Sequence, residues 1–486
     1  MMINRIIVIC LVGVLFAQCS DDLTPLNEDE KAFTQVPGET LMTNGQRNMV
    51  DQLVNTNVNT NIWRLFAQYW GEATYVDEAR YNVITRSIPE NHWNIMYRDV
   101  LKDLNESYEL ISAQEVQNVS PDQFARDTAI KANKLAIIEI QRVMAMQIIV
   151  DTFGDVPYSE ALDIDNINPA YDDDTAIYDD IIARLNTALS TMDSSFGSFG
   201  SQDLIYNGNT ESWVTFGNSI KLRLGMRLAD VDPTKAASLV SAAADNIITD
   251  NSQNATVQYQ STTPNTNPLW VDLVQSNRKD FLPADTFVNQ LNGLEDPRSD
   301  VFFSDPIDGE YLGAPYGNTV SYGDYSHIGD LFFTPDLEGL IFDAAEGNFL
   351  LAEAVERGFI AGDAATFYTQ AITSSMEYWG IAEADATAYL AKPEVAYATA
   401  EGDYRQKIGV QKWISLYNRG FEAWTEFRRL DYPQLEAPEE SQFDNVPKRF
   451  TYPVIEQNLN GANYNAASSA IGGDNLSTPI FWDVRD

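Results

Sequence analysis

Apolar residues recur at helical spacing along most of the chain, which predicts a mostly α-helical fold. Glycine or proline separates many of the successive periodic segments, as is common where helices end. Within the last segment, Gly420 marks a further break. The predicted helical segments are residues 46–57, 61–71, 91–113, 121–153, 172–189, 213–229, 233–248, 344–357, 363–379, 387–390 and 402–430.

Several of these segments are expected to pack as pairs. Residues 345–380 hold two predicted helices separated by Gly358, and small alanines on them allow a close approach. This pattern resembles the helix hairpin of tetratricopeptide repeats. Residues 121–189 and 213–248 fit the same stacked arrangement, so the sequence predicts several helix hairpins in series.

The middle of the chain has a different character. Residues 250–335 are rich in Pro, Gly, Asn and Tyr, and their apolar periodicity is confined to residues 284–291. Loops on a rigid scaffold are where binding residues are commonly held. Because no linker interrupts the chain, the sequence predicts a single domain at 41–486 with a helical half and an irregular, ligand-binding half.

Residues 411–433 combine aromatic and basic side chains in an otherwise acidic chain. Their periodicity alone is compatible with a core helix pair, a ligand wall or a partner surface. We expect Trp413 and Trp424 to pack in the core, and Arg428 and Arg429 to pair with nearby acids.

The amino terminus has the pattern of a secretory signal. Arg5 precedes an apolar run at 6–16, which is too short to span a bilayer in the mature protein, so residues 1–18 are predicted to be removed. Cys19 lies at the expected cleavage point, which resembles a bacterial lipobox, and would be the lipidated first residue of the mature chain. The alternative is an ordinary secreted protein. The acidic residues after Cys19 resemble the export signal of surface-exposed Bacteroidetes lipoproteins, and residues 19–40 are predicted to be a polar tether.

Charge and composition exclude several function classes. The 486 residues include 31 Lys and Arg against 71 Asp and Glu, a net charge of -40, which disfavours binding to nucleic acid or anionic lipid. The two cysteines, Cys10 and Cys19, leave no thiol chemistry in the folded body. With only His92 and His327, a site built on three histidines is also excluded.

The sequence contains no recognisable catalytic motif. It lacks G-x-S-x-G, H-E-x-x-H, a Walker A loop and a dinucleotide-binding glycine pattern. A glycosidase needs only two carboxylates, so a secreted helical glycosidase stays open as an alternative. Asp172, Asp173 and Asp174 are compatible with calcium, but capping of the following helix is the better interpretation. We therefore predict a non-catalytic protein with no cofactor and no metal ion.

Aromatic residues are the most informative candidates for binding. Neutral sugars lay their apolar faces on Trp and Tyr rings, and the chain has 9 Trp, 23 Tyr and 23 Phe. Those on helical apolar faces are expected in the core, namely Trp213, Trp379, Trp413 and Trp424. Those that border turns or lie in the irregular half are the ligand candidates, namely Trp70, Tyr75, Trp93, Trp270, Tyr322 and Tyr325.

Five segments, in order along the chain, are similar to motifs of one known family. The first is FGDVPYSEA at 153–161, and the second is LEDPR at 294–298, which is similar to an "NDPR" turn with Glu in place of Asn. The other three are the helix hairpin at 349–380, the segment KWISLYNRGFEAWTEFRRLDYP at 412–433 and PKRFTYP at 447–453. Together they resemble the SusD/RagB-like outer-membrane lipoproteins of Bacteroidetes, in particular the second SusD-like subgroup.

The resemblance implies a SusD-like fold and a non-catalytic function. Such a protein is lipid-anchored at the outer membrane, faces the cell exterior and captures oligosaccharide. It acts as the lid of a SusC-like TonB-dependent transporter. In some relatives the ligand is a peptide, which is the alternative for this chain. The resemblance carries no list of ligand residues, because its motifs belong mainly to the scaffold.

Overall fold

The structure is a computed structural model that describes residues 36–485. The predicted signal peptide, Cys19 and most of the predicted tether lie outside the described residues. The first helix begins at Gly38, so the last residues of the predicted tether at 19–40 belong to the folded body. Between residues 36 and 485, no helix is both long and apolar enough to cross a membrane.

The described chain is mostly helical, as predicted. Eighteen α-helices are found within residues 36–485, and several have only one turn. They are α1 (Gly38–Val54), α2 (Trp63–Phe66), α3 (Ile88–Asn94), α4 (Lys102–Ala113), α5 (Pro121–Phe153), α6 (Asp174–Thr191), α7 (Thr210–Arg227), α8 (Pro233–Ala243), α9 (Pro268–Trp270), α10 (Asp285–Leu294), α11 (Ser299–Phe302), α12 (Ala344–Glu356), α13 (Ala364–Tyr378), α14 (Glu383–Leu390), α15 (Tyr404–Ser415), α16 (Gly420–Leu430), α17 (Val454–Leu459) and α18 (Gly461–Ala470).

Consecutive helices pack as pairs, which confirms the predicted tetratricopeptide-like scaffold. The pairs are α5 with α6, α7 with α8, and α12 with α13, while α1 packs against α4. Local signals set the helix ends. The side chain of Ser120 accepts a hydrogen bond from the Gln123 amide at the start of α5, and Gly154 ends it with a φ of 79°. The predicted helix at 121–153 is therefore correct to the residue.

Helices α15 and α16 lie in the core rather than at a surface. Trp413 and Trp424 are buried, as predicted, and the Trp424 ring stacks on Trp63 with ring centroids 4.9 Å apart. Gly420 allows this approach, since a Cβ there would lie 2.6 Å from the amide nitrogen of Arg64. Residues 411–433 are thus a core helix pair, and their periodicity indicated this apolar face correctly.

Two arginines of this helix pair bind different kinds of partner. Arg429 pairs with Glu353 and Glu426 as predicted, with its Nη1 2.6 Å from a Glu353 oxygen. The predicted acid pairing of Arg428 is wrong. Its guanidinium donates to the main-chain carbonyls of Lys448 and Asp151 at 2.6 and 2.9 Å, and it lies 3.5 Å from the centroid of a tryptophan ring. Burial lowers the pKa of Arg428 to about 9.

Three two-stranded antiparallel sheets tie the irregular half together. They pair β1 (Trp70–Glu72) with β3 (Phe281–Pro283), β2 (Ala255–Val257) with β6 (Gly339–Phe342), and β4 (Phe303–Ser304) with β5 (His327–Ile328). Each strand has at most four residues, too few for an alternating pattern to be recognised in the sequence. The β1–β3 pair places Glu72 opposite Phe281 and so joins the amino-terminal region to the irregular half.

Candidate functional site

Two of the six predicted ligand aromatics are buried. Trp70 is 0% exposed, and its indole nitrogen donates to the Tyr417 hydroxyl at 2.8 Å. Trp93 is 8% exposed, and its ring packs edge-on against Phe153 at 5.1 Å. The prediction that these two rings face a ligand is wrong, because segments distant in the sequence cover both of them.

Two other predicted residues pack against one small apolar cluster, and a third lies close to it in the sequence. Its buried members are Ala73, Leu282 and Ala314, and the partly buried rings of Tyr322 and Tyr325 pack against it. Tyr75 lies two residues beyond Ala73 and is 63% exposed. The cluster therefore brings Tyr322 and Tyr325 to the loop that carries Tyr75, although they are about 250 positions apart in the sequence.

Hydrogen bonds hold these loops against each other. The Val320 amide donates to the Ala73 carbonyl at 2.8 Å, and the Arg80 guanidinium donates to the Gly317 carbonyl at 2.8 Å. Gly317 has a φ of 74°, a conformation that glycine adopts without strain. The fixed path of this turn orients the segment that carries both tyrosines.

His327 belongs to the same region and was not recognised as a site residue from the sequence. Its ring stacks on Tyr322 with centroids 4.4 Å apart, and its Nδ1 lies 2.7 Å from a carboxylate oxygen of Asp305. Burial and the nearby Asp305 raise the pKa of Tyr322, so its hydroxyl stays protonated at neutral pH. The five-residue spacing of Tyr322 and His327 is a weak signal, because nothing in the sequence shows that their rings stack.

Trp270 differs from every other tryptophan in the chain. The other eight are at most 8% exposed, whereas Trp270 is only partly buried. It ends α9 and is followed by a π-helical turn at Val271–Gln275, a distortion that is often found at functional sites. Val271 and Val274, which follow Trp270 in the sequence, are exposed. Leu331 is also exposed and lies on the turn at 330–333, which contacts α9. This ring is available for stacking on a ligand.

We call residues 73–87, 268–280 and 305–333 the loop surface. Its three segments are continuous, since the Thr74 amide donates to Asp280 at 2.8 Å and α9 contacts the turn at 330–333. Its third segment is acidic, since residues 305–333 contain five Asp and Glu, all of them exposed, and no Lys or Arg. Exposed rings beside carboxylates and amides suit a ligand that offers both apolar faces and hydroxyl groups.

The acidic triplet at 172–174 acts within the chain. Asp173 accepts a hydrogen bond from the Ala176 amide at 3.0 Å and caps α6, which confirms the capping interpretation. Oxygen atoms of Asp155, Asp173 and Asp174 lie within 4.8 Å of one another. The Asp155 carboxylate accepts a hydrogen bond from the main-chain amide of Asp174. Burial, and to a smaller extent the negative charge of Asp155, raises the pKa of Asp174 to about 7. Asp155 and Asp173 thus both accept hydrogen bonds from main-chain amides of this chain.

His92 lacks the properties of a general base. It is fully buried, its Nδ1 lies 2.8 Å from the side-chain nitrogen Nε2 of Gln52, and its ring packs edge-on against Trp63. Burial lowers the pKa of His92 to about 3, so the imidazole is neutral at ordinary pH. Without access to solvent it cannot exchange a proton with a substrate.

Comparison with known proteins places these features in a family context. Residues 30–453 match the SusD-like family model, described as starch-binding and associating with the outer membrane. A solved chitin-binding protein is 26% identical, with a TM-score of 0.78 over 92% of this chain and 100% of the other. A SusD homologue from Bacteroides uniformis is 25% identical, with a TM-score of 0.74 over 92% and 99% of the two chains.

A third similar structure, a chitin-binding SusD homologue from Flavobacterium johnsoniae, supports the fold. It is 24% identical, with a TM-score of 0.74 over 92% of this chain and 99% of the other. No protein with a curated description matches this sequence.

Proposed function

We infer the function from one premise: the chain belongs to the SusD-like family, whose members are described as starch-binding and as associating with the outer membrane. We propose that it is a non-catalytic cell-surface lipoprotein that captures oligosaccharide on the loop surface. It then delivers the oligosaccharide to a SusC-like TonB-dependent transporter and acts as the lid of that transporter.

The exposed aromatics of the loop surface are the observation that carries this proposal. Trp270, at the end of α9, is only partly buried and Tyr75 is exposed on its loop, while Tyr322 and Tyr325 pack against the cluster that contains Ala73, two residues before Tyr75. Sugar rings stack on such faces, while carboxylates and amides bind the hydroxyl groups. A chitin-binding relative with 26% identity supports a carbohydrate ligand.

The proposed location rests on the amino terminus. A lipidated Cys19 followed by a polar tether would hold the folded body close to the membrane surface while leaving it free to move. A lid needs both properties, since it must stay near the transporter and still open. Native extraction from outer membranes should therefore co-purify a large TonB-dependent β-barrel. Its absence from such extracts would contradict the partner.

Peptide is the second candidate ligand, and one observation favours it. The five exposed acids at 305–333, a segment without Lys or Arg, would attract a basic peptide. Calorimetry with malto-oligosaccharides, chito-oligosaccharides and a basic peptide library separates the two ligands. We expect binding of an oligosaccharide, and binding of peptide alone would overturn the proposed ligand.

The site is tested by Trp270→Ala and Tyr75→Ala. Each is expected to weaken oligosaccharide binding by about 1–3 kcal/mol, because a stacked ring is lost without disturbing the core. Phe124→Ala is the matched control, since Phe124 is an exposed aromatic on α5, outside the loop surface. Unchanged affinity in both site variants would show that the ligand binds elsewhere.

The non-catalytic assignment is tested by prolonged incubation. We expect the bound oligosaccharide to be recovered intact, with no shorter sugars in the chromatogram. Shorter products that persist after purification to constant activity would support the glycosidase alternative.

A further inference from the structure

One loop and one short helix expose several aliphatic side chains to solvent. The loop at 158–173 contains no buried residue, and neither does α17. Ile164 and Ile167 on the loop are 90% and 83% exposed, and Leu459 on α17 is 70% exposed. We call the exposed aliphatic residues of the two segments the aliphatic patch, namely Leu162, Ile164, Ile167, Val454, Ile455 and Leu459.

Hydrogen bonds hold these two segments against each other. The side chain of Asn460 donates to the Pro169 carbonyl at 2.8 Å. Ile167 lies two residues before Pro169, and Leu459 directly precedes Asn460, so the patch extends across the contact. Two further hydrogen bonds join the same segments: Asn463 to the Asn168 carbonyl at 3.0 Å, and Tyr171 to Glu456 at 2.9 Å.

The loop is fixed by polar contacts of its own. The Glu160 carboxylate accepts hydrogen bonds from the Asn166 side chain at 2.9 Å and from the Ala170 amide at 3.0 Å. These bonds bury no apolar side chain, so they hold the isoleucines in solvent. A helix as short as α17 ordinarily depends on packing for its stability. Aliphatic side chains grouped on an exposed surface are typical of a site that another molecule covers.

The two segments carry negative charge and no positive charge. Residues 143–183 and 450–484 contain no Lys or Arg. Arg184 donates to the Tyr158 hydroxyl at the start of the loop, but its own charge is paired with Glu139. A complementary surface therefore has aliphatic side chains flanked by Lys or Arg. Three acids of the loop are exposed beside the isoleucines, namely Glu160, Asp163 and Asp165.

Charge disfavours three other occupants of the patch. A second copy of the chain would bring the same acids against each other, and an anionic lipid surface would repel them. The segment at 20–35, outside the described residues, has five Asp and Glu and one Lys, so it carries the same sign of charge. A protein with basic groups is the occupant that the charges favour.

We propose that the aliphatic patch docks this chain onto a protein that presents aliphatic side chains flanked by Lys or Arg. The inference rests on the proposed function in that this protein is the outer-membrane β-barrel transporter. The patch shares no residue with the loop surface, so docking and oligosaccharide binding use different side chains.

The first experiment removes the aliphatic contacts. The probe is the β-barrel that co-purifies with the wild-type chain from outer membranes, separated from it and returned to lipid nanodiscs. Ile164→Ser combined with Ile167→Ser should weaken binding of the chain to this barrel by roughly tenfold or more, since two aliphatic side chains no longer lose contact with water. Val119→Ser is the matched control, because Val119 is exposed on the loop before α5, and it should bind like wild type.

The second experiment tests the charge. Asp165→Lys should weaken binding to the barrel severalfold, and wild-type binding should weaken as salt is raised. Glu115→Lys is the matched control, because Glu115 is an exposed acid on the same loop as Val119, and its affinity should equal that of wild type. Stronger binding by Asp165→Lys would show that the partner is not basic and would overturn the proposal.

The outcomes distinguish the docking surface from the proposed function. If the double isoleucine variant binds the barrel as wild type does, the docking surface is wrong, while the transporter remains the partner. If no barrel co-purifies with wild type, the partner in the proposed function fails and the docking surface fails with it. Wild type alone should sediment as a monomer and should not bind anionic phospholipid vesicles. A dimer or a vesicle-bound form that the double variant loses would overturn the choice of partner.

Discussion

Gly347→Ala is a sharp test of how tightly the helical scaffold is packed. Gly347 lies inside α12, where a Cβ would be 1.9 Å from the carbonyl oxygen of Ile248. Ordinary contact begins at about 3.4 Å, so helix and carbonyl would have to separate by about 1.5 Å. The obstacle is main chain, and no change of side-chain rotamer can relieve it.

Such a shift would disturb the neighbours of Gly347 on both sides. Glu346 pairs with Arg223 at 2.7 Å, and Asn348 donates to the Thr249 carbonyl at 3.0 Å. Overpacking costs about 1–3 kcal/mol and a lost hydrogen bond about 1 kcal/mol, while alanine returns about 1 kcal/mol of helix propensity. We expect a net loss of about 1–3 kcal/mol in the free energy of unfolding.

Gly293→Ala is the matched control for this prediction. Gly293 is also helical, in α10, but a Cβ there meets no atom within 4 Å. Alanine should therefore raise the free energy of unfolding by about 0.5–1 kcal/mol. Chemical denaturation of the two variants and wild type measures both effects. Equal destabilisation of the two variants, or a Gly347→Ala protein as stable as wild type, would refute the packing argument.

Three further predictions concern two buried carboxylates and one exposed helix cap. Glu353→Gln should cost about 3–5 kcal/mol by denaturation, since Arg429 would lose a charged partner in the core. Burial acts to raise the pKa of Glu353, but Arg429 and Arg357 outweigh it and the pKa is lowered. The stability that the Glu353 carboxylate contributes is therefore lost as pH falls through the lowered pKa. If wild type and Glu353→Gln lost stability equally at acid pH, this reasoning would be contradicted. Burial raises the pKa of Asp483 to about 6, so the stability of wild type falls as pH rises through that value. In thermal scans, Asp483→Asn should be more stable than wild type only above that pH. Asp173→Ala should cost about 1 kcal/mol by removing the cap bonded to the Ala176 amide, and a neutral effect would argue against the cap.

The scaffold could be predicted because its signals are local. The helix at 121–153 has Pro121 at its first position and Gly154 after its last, and the pair at 345–380 has a glycine between two apolar faces. Capping and periodicity act over a few residues, so they are visible in the sequence. The short strands and the π-helical turns at 95–101 and 271–275 gave no comparable signal.

The candidate site could be predicted only in part. Tyr75, Trp270, Tyr322 and Tyr325 lie on loops of the irregular half or beside it, where their rings keep some exposure. Trp70 also borders a turn, yet it is buried. A turn shows where the chain changes direction, but it does not show which later segment will cover a side chain.

The sequence by itself determined the helical scaffold, the hairpins, the family and the acidic character of the chain. Only the tertiary structure decided which rings and charges face solvent. The indole of Trp70 bonds to a tyrosine 347 positions away, and the buried Glu72 lies 3.4 Å from the guanidinium of Arg278, 206 positions away. Burial and charge compensation depend on contacts between such distant segments, and local periodicity carries no information about them.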